Sequence, residues 1–405
     1  MFGPPQARCE LRIRVVNSYC RCAGLNFKRQ TPNTKLPFMP GGPHDPPLPP
    51  APPGRGAGIN PPNRFDAQRI EIEPGALVDD DGTPLPVRTQ FFRDDTQGIL
   101  AWNDSPDIPF RVGCSPYRGC EHGCAYCFAR PYHEYLGFSA GIEFESRILV
   151  KERAPDLLRE AFSKKGWEPQ TVAMSGITDV YQPVERRMQI TRRCLEVFAE
   201  FRNPVALITK NHLITRDADL LGELAKFRAA SVAISLTTLD STLAKTLEPR
   251  ASTPSRRLAA IRELTAAGVP VSVLTAPIIP GLNDHEIPAL LAAAKEAGAV
   301  TAHYTVVRLP LSVEPIFTEW LERHVPGQKE KILGRIREFR GGALYRGKFG
   351  ERMSGTGAAA EQLRQFYEVT SRRVGFALRE EALDIGARGL STAHFRVPTA
   401  QMTLW

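Results

Sequence analysis

The sequence predicts an α/β chain built on a laterally open barrel of six parallel strands, with helices between them. Two observations carry that reading. Between Arg111 and Leu309, short apolar runs of strand length alternate with segments of helical periodicity, the pattern of repeated βαβ units with right-handed crossovers. Six such runs can be counted, which fits a partial (β/α)6 TIM-like barrel. A third observation points to function. Polar or glycine residues follow the apolar runs, at the carboxyl ends where α/β barrels assemble active sites.

In chain order, residues 1–62 form a Pro/Gly-rich basic extension, expected to be partly disordered. The crowding of Pro and Gly from Lys35 to Pro62 cannot sustain a helix or a strand ladder, so this stretch reads as a linker or peripheral wrap. Cys9, Cys20 and Cys22 are irregularly spaced and read as incidental. Residues 63–110 read as a small β-rich lead-in, with short extended patterns broken by Glu-Pro-Gly, Asp-Asp-Asp-Gly and Leu-Pro turns. The barrel is expected over 111–310. Its strands are expected near Arg111–Cys114, Thr171–Ser175, Val205–Thr209, Ser231–Leu236, Val271–Pro277 and His303–Leu309. Helices are expected at Glu152–Lys164, Arg187–Arg202, Asp217–Phe227, Ser255–Ala267 and His285–Ala297. Beyond Pro310 the alternation stops. Residues 311–405 read as a helical and basic region, with helices at Ile316–Arg323, Gln328–Arg340 and Ala360–Val374 and a basic glycine-containing segment, Gly341–Gly357, among them.

With 405 residues the chain can bury a full-sized core carrying one catalytic domain and its appendages. No run resembles a membrane span, and the first thirty residues lack the apolar core and cleavage site of a signal peptide, so a cytoplasmic protein is expected. Of eight cysteines, half lie between Cys114 and Cys127, a clustering that suits metal-loaded thiolates better than disulfides. The net charge of +8 is unevenly spread. Residues 1–62 hold eight Lys/Arg against two acidic residues, and Lys329–Trp405 holds fourteen against eight, which leaves the middle acidic. Basic ends of this kind suit contact with nucleic-acid phosphates, and equally an ordinary solvated surface.

The stretch with the sharpest chemistry is Cys120-Glu-His-Gly-Cys124-Ala-Tyr-Cys127. Three soft thiolates at these gaps suit three irons of a [4Fe-4S] cube, leaving the fourth iron open to chelate a small molecule. Gly119 and Gly123 allow the chain to wrap closely, and Tyr126 offers an aromatic wall. The rival reading is structural zinc with Cys114 as a fourth ligand. Five residues separate Cys114 from Cys120, longer than a zinc knuckle uses. Cys114 reads better as a small buried residue at a strand end.

CxxxCxxC with an aromatic before its last cysteine resembles the radical S-adenosylmethionine (SAM) superfamily. The wider run Ser115–Arg130 is similar to the branch related to spore photoproduct lyase, which includes many uncharacterised bacterial proteins. The resemblance implies a partial barrel and a [4Fe-4S] cluster on Cys120, Cys124 and Cys127. It also implies reductive cleavage of SAM to a 5'-deoxyadenosyl radical that abstracts hydrogen from the substrate, and a reducing electron donor such as flavodoxin or ferredoxin. Ser175, Gly176, Thr178 and Asp179 match the edge that meets the SAM amino group in related enzymes, although an Asp-capped turn would look the same. Tyr181, Gln182 and Glu185 extend that segment, as substrate contacts or as a helix start. Lys210 is a candidate for the SAM carboxylate or an anionic substrate, and Ser235 for the ribose or the methionine end; either residue would also serve to satisfy loop carbonyls. The run Ala276–Asp284, with Ile279, resembles the adenine-proximal motif. Arg308 suits the SAM carboxylate or a phosphate. Arg130 and His133 are expected to organise the cluster pocket, and His122 to support it from behind the ligands.

One departure matters. Spore photoproduct lyase uses a cysteine shortly after its cluster motif as a hydrogen-atom donor, but Phe128–Arg193 contains none, and Cys194 falls in a predicted helix. Tyr132 and Tyr135 are the candidate donors in its place. The resulting expectation is a radical SAM enzyme acting on a large substrate, with nucleic acid the favoured class. The alternatives are an enzyme modifying a peptide or protein, and a non-catalytic, zinc-stabilised RNA-binding protein.

Overall fold

The computed structural model describes residues 51–66, 86–376 and 389–398. The described strands in chain order are Gln90–Arg93 (β1), Leu100–Trp102 (β2), Val112–Cys114 (β3), Tyr117–Arg118 (β4), Arg147–Val150 (β5), Val172–Met174 (β6), Val205–Thr209 (β7), Ala230–Ser235 (β8), Val271–Ile278 (β9) and Thr301–Val306 (β10). Continuous apolar runs such as Val205-Ala-Leu-Ile and Val172-Ala-Met become strands covered on both faces, as parallel sheets flanked by helices require. The main sheet runs β10-β9-β8-β7-β6-β3-β2. Its six strands from β3 to β10 are parallel and follow sequence order, and β2 adds antiparallel to β3. Among the described residues β10 does not pair with β3 or β2, so the barrel is open, as its strand count predicted.

Amphipathic helices cover the outside of this sheet. Ala154–Ser163 buries Leu157, Leu158 and Phe162, and Ile190–Phe201 buries Leu195, Phe198 and Phe201. Phe162 meets Phe198 edge-on at 5.4 Å and Phe201 at 5.6 Å. The Phe395 ring centre lies 6.2 Å from that of Phe201, so 389–398 lies against this layer. The three helices expected after the barrel are present as Val313–His324, Lys329–Phe339 and Gly357–Val374.

The extension and lead-in divide differently from expectation. Residues 1–50 and 67–85 lie outside the described residues, and with them Cys9, Cys20 and Cys22. Residues 51–62 lie against the protein with a buried stretch at Arg55, Gly56 and Ala57, the peripheral wrap of the two readings that Pro and Gly content left open. The lead-in supplies two strands at sheet edges: β2 extends the barrel sheet, while β1 pairs with β5 in a small sheet of order β1-β5-β4. This small sheet was not foreseen. Its strands are two to four residues long, too short to show a period of two.

A last feature ties the two sides of the opening. The amide of Val306, at the end of β10, donates to the Met353 carbonyl at 2.9 Å. In the same segment, Gly350 N donates to Asp107 at 2.7 Å and Arg352 Nε to the same carboxylate at 2.6 Å, and Asp107 lies between β2 and β3. Arg340 holds the segment from beneath. It is 1% exposed and donates to the carbonyls of Glu351, Arg352, Val306 and Val307.

Candidate functional site

Each predicted barrel site residue falls at the carboxyl end of a strand. Cys120, Cys124 and Cys127 follow β3, Ser175 follows β6, Lys210 follows β7, Ser235 ends β8, Ile279 follows β9 and Arg308 follows β10. Six strands therefore deliver their loops to one end of the barrel.

The cysteine loop is short of regular structure and is fixed by its neighbours. Gly119 (φ +78°) and Gly123 (φ +67°) take left-handed backbone that other residues resist. The Gly119 carbonyl accepts from the Thr178 hydroxyl at 2.6 Å and from Gln182 Nε2 at 3.3 Å, and Glu121 N donates to Gln182 Oε1 at 2.9 Å. Glu121 pairs with Arg250 at 3.1 Å and accepts from Val184 N at 2.7 Å. His122 stands 3.3 Å from the Asp179 carboxylate and 3.1 Å from Asn211 Nδ2. Burial by itself lowers the His122 pKa, but Asp179 and the Cys120 sulfur raise it to about 10. Burial raises the Asp179 pKa while His122 and backbone amides bring it down to about 2, so the two form an imidazolium–carboxylate pair.

Behind the loop lie two buried ion pairs. Arg130, wholly buried, donates to the Cys124 carbonyl through Nε at 3.0 Å and Nη2 at 2.8 Å and pairs with buried Glu145. On the other side the Tyr126 hydroxyl donates to Glu248, which accepts from Thr237 at 2.7 Å and pairs with Arg257. Arg257 also donates to the Ser235 carbonyl at 3.2 Å. The sequence reading found Arg130 but missed Glu145, Glu248 and Arg257. Each is a single charged residue in a helical or turn segment, and only the fold shows which charges are turned inward.

The thiols themselves are close enough to interact electrostatically. Burial first, and then Glu248, pushes the Cys124 thiol well above its ordinary value, with Lys210 opposing. Burial and Cys120 raise Cys127, with Arg130 opposing. Thiols of this kind stay protonated until a soft cation takes them, and loading then releases protons. Cys114, the suggested fourth zinc ligand, is buried at the end of β3 near the buried Cys194.

Around the loop, the predicted residues separate into three groups. Ser175, Lys210 and Arg308 hold polar groups that the fold leaves without a strong partner. Ser175 has φ +90°, and its Oγ is buried without a hydrogen-bond partner among the described residues. The Lys210 ammonium lies 5.8 Å from the Tyr126 ring centre. The Arg308 guanidinium lies 4.0 Å from the Phe128 ring centre and 3.2 Å from Met353 Sδ, and no described carboxylate pairs with it. Burial, then Arg352, lowers its pKa, while Tyr345 and Tyr132 act in the opposite sense. Gly176 is exposed with open space about it, and Ser235 and Ile279 are buried in the walls.

Thr178 and Asp179 form the second group, and both are engaged within the protein. Thr178 is spent on Gly119, and the Asp179 carboxylate accepts from Thr209 Oγ1 at 2.8 Å, Lys210 N at 2.9 Å and Tyr181 N at 2.9 Å besides His122. These two clamp the cysteine loop, with no lone pair clearly left for a ligand. Tyr181, Gln182 and Glu185 are likewise internal: Tyr181 donates to Asp217 at 3.1 Å, and Glu185 holds Arg216 at 2.8 Å and Thr191 N at 3.0 Å.

Tyr132 and Tyr135 make the third group. The 3-10 helix Arg130–Leu136 eclipses residues three apart, so both rings share its exposed face. Tyr132 is within electrostatic reach of Arg308, whereas Tyr135 packs on Phe65, just after the wrap, at 4.9 Å. The pair therefore divides, with Tyr132 in electrostatic reach of another candidate residue.

An open six-stranded βα barrel that gathers three thiols and two cations at its carboxyl end places the chain in the partial-barrel class. Residues 114–294 match the family model described as the radical SAM superfamily. An uncharacterised protein of Mycobacterium tuberculosis is 36% identical over 241 residues, covering 59% of this chain and 68% of the relative. An uncharacterised protein of Methanocaldococcus jannaschii is 29% identical over 216 residues, covering 53% and 77%. In fold, the chain is similar to spore photoproduct lyase complexed with dinucleoside spore photoproduct, with TM-score 0.50 and 15% identity over 70% of this chain and 78% of that one. The chain belongs to the radical SAM superfamily. It is a radical SAM enzyme, whose cofactors are SAM and an iron–sulfur cluster and whose chemistry needs an electron donor. Membership sets aside the non-catalytic zinc reading. Among the described residues no helix is long and apolar enough to cross a membrane.

Proposed function

We propose that Cys120, Cys124 and Cys127 hold a [4Fe-4S] cluster and that the enzyme abstracts hydrogen from a large substrate, with nucleic acid the favoured class. The observation that carries the reading is the meeting of these thiols with Ser175, Lys210 and Arg308 at one end of the barrel, where a buried hydroxyl and two cations lack strong partners among the described residues. An unpartnered buried polar group is costly, and a ligand that satisfies it recovers that cost. When bound, the reduced cluster supplies the electron that cleaves SAM to methionine and the 5'-deoxyadenosyl radical. Ser175 donates its hydroxyl to the methionine end, beside the open backbone of Gly176. Lys210 neutralises the SAM carboxylate, Ile279 and the wall at Ser235 line the nucleoside, and Arg308 orients an anionic group of SAM or substrate. Thr178 and Asp179 serve by holding the loop. Tyr132, beside Arg308, is the better-placed of the two candidate hydrogen-atom donors. The basic terminal regions support an anionic polymer as substrate. A cytoplasmic flavodoxin or ferredoxin is the proposed reductant.

The test is anaerobic reconstitution, reduction with SAM present, and measurement of 5'-deoxyadenosine against Cys124→Ala. Production by the intact protein alone is expected. A chain that binds zinc, assembles no iron cluster and cleaves no SAM would overturn the proposal. Offering peptides and damaged or modified oligonucleotides to the loaded enzyme separates the two substrate classes.

A further inference from the structure

The wrap at 55–58 lies before the first residue matched by the family model, yet it is built into the wall behind the cysteine loop. Its backbone amides serve one carboxylate. Gly56 N donates to Glu145 Oε2 at 3.0 Å, and Ala57 N to Glu145 Oε1 at 2.9 Å. That carboxylate pairs with Arg130, and Arg130 in turn holds the Cys124 carbonyl with two N–H groups. Arg55 locks the arrangement, donating to the Glu145 carbonyl at 2.7 Å and to Thr89 Oγ1 at 3.0 Å.

The wrap also touches the loop directly. A Cβ built on Gly56 would overlap the Gly123 carbonyl oxygen and stand 2.9 Å from the Gly123 carbonyl carbon and 3.2 Å from Ala125 N. In the other direction, a Cβ on Gly123 would stand 3.4 Å from Gly56 N. Two glycine backbones far apart in sequence are thus in contact, with no side chain able to fit between them. Ala57 is fully buried, and Gly58 N reaches Glu319 at 3.3 Å, so the segment is anchored on both sides of the contact.

We propose that Arg55–Gly58 is a positioning element of the iron–sulfur site, fixing the path of Cys124 through Glu145–Arg130 and through the Gly56–Gly123 contact. The inference rests on the cluster assignment above. Partners that orient metal ligands typically change metal affinity about 10–100-fold when removed.

The test uses the full-length, anaerobically reconstituted protein. Gly56→Ala puts a methyl group into the Gly123 carbonyl, and Arg55→Gln loosens the wrap without placing an atom in the loop. Gly98→Ala, where a Cβ meets open space, is the control. Three readouts are compared: iron retained against a chelator, the electron paramagnetic resonance g-values of the reduced cluster, and its midpoint potential. Gly56→Ala is expected to lose iron at a chelator concentration about 10–100-fold lower than the intact protein does, with shifted g-values and potential. Arg55→Gln shifts the same readouts less, and Gly98→Ala none. A change in melting temperature alone, with retention, g-values and potential unaltered in both wrap variants, overturns the proposal. If Gly56→Ala does not fold, Arg55→Gln decides by the same criteria. An intact protein that forms no iron–sulfur cluster would instead overturn the cluster assignment and this inference with it.

Discussion

Replacing Asp179 by alanine tests whether the carboxylate is a keystone of the cysteine loop or a cofactor contact. The side chain is 11% exposed and accepts from the Thr209 hydroxyl, the amides of Lys210 and Tyr181, and the His122 ring. Truncation leaves two amides, a hydroxyl and an imidazolium without their acceptor. A hydrogen bond to a charged group contributes about 1.5–3 kcal/mol, and breaking a buried ion pair costs about 3–5 kcal/mol. These effects overlap because water can enter beside Asp179, so a total of about 3–5 kcal/mol is expected. Asp179→Asn keeps one acceptor oxygen and should cost about half as much. Urea unfolding followed by circular dichroism, with the slope unchanged, measures both. An alanine variant within about 0.5 kcal/mol of the intact protein but with lost SAM affinity would refute the reasoning and restore Asp179 as a ligand contact.

Further outcomes follow from other parts of the site. Glu248→Ala leaves Arg257 buried and unpaired and Tyr126 without its acceptor, and should cost about 3–5 kcal/mol in the same urea assay. Lys210→Met should weaken SAM binding about tenfold, or about 1.4 kcal/mol, while leaving the unfolding midpoint in place; equilibrium dialysis with labelled SAM measures it. Gly119→Ala forces a left-handed residue and brings its Cβ to 2.9 Å from the Phe144 carbonyl. It should destabilise by at least about 1–2 kcal/mol, read as a lowered melting temperature. Arg340→Ala strips four carbonyls of their donor, and limited proteolysis should then cut within 341–357 well before the barrel.

How much of this was legible in sequence depended on the range of the interactions. The six barrel strands were read from continuous apolar runs, because burial on both faces writes itself into consecutive residues such as Val271-Ser-Val-Leu. The cysteine loop was legible because three ligands to one group must lie close in the chain. The roles of Thr178 and Asp179 were not, since Asp179 meets Thr209 and His122 from other segments and nothing local distinguishes a clamp from a ligand contact. The same holds for Glu145. Its partners are Arg130, fifteen residues before it, and amides 88 and 89 residues away. For the wrap, composition left linker and peripheral wrap open, and only the fold shows that glycine at 56 serves close backbone approach. Tyr132 and Tyr135 share one face of their 3-10 turn, and what separates them is the contact of Tyr135 with Phe65, a residue seventy positions away that local sequence does not reveal.

The tie between Met353, Val306 and Asp107 has a mechanical consequence. A sheet whose last strand has no ladder partner on its outer edge among the described residues behaves as a split ring, and a bulky guest pressing outward would spread its ends. Here the load on β10 passes through the Met353 carbonyl into the 350–353 segment and returns through Arg352 and Asp107 to the first strands. Spreading the ring requires parting a largely shielded ion pair, with Arg352 18% and Asp107 7% exposed at the side chain. The seam thus acts as a hasp across the split, making the ring stiff in hoop tension although its hydrogen-bond ladder never closes.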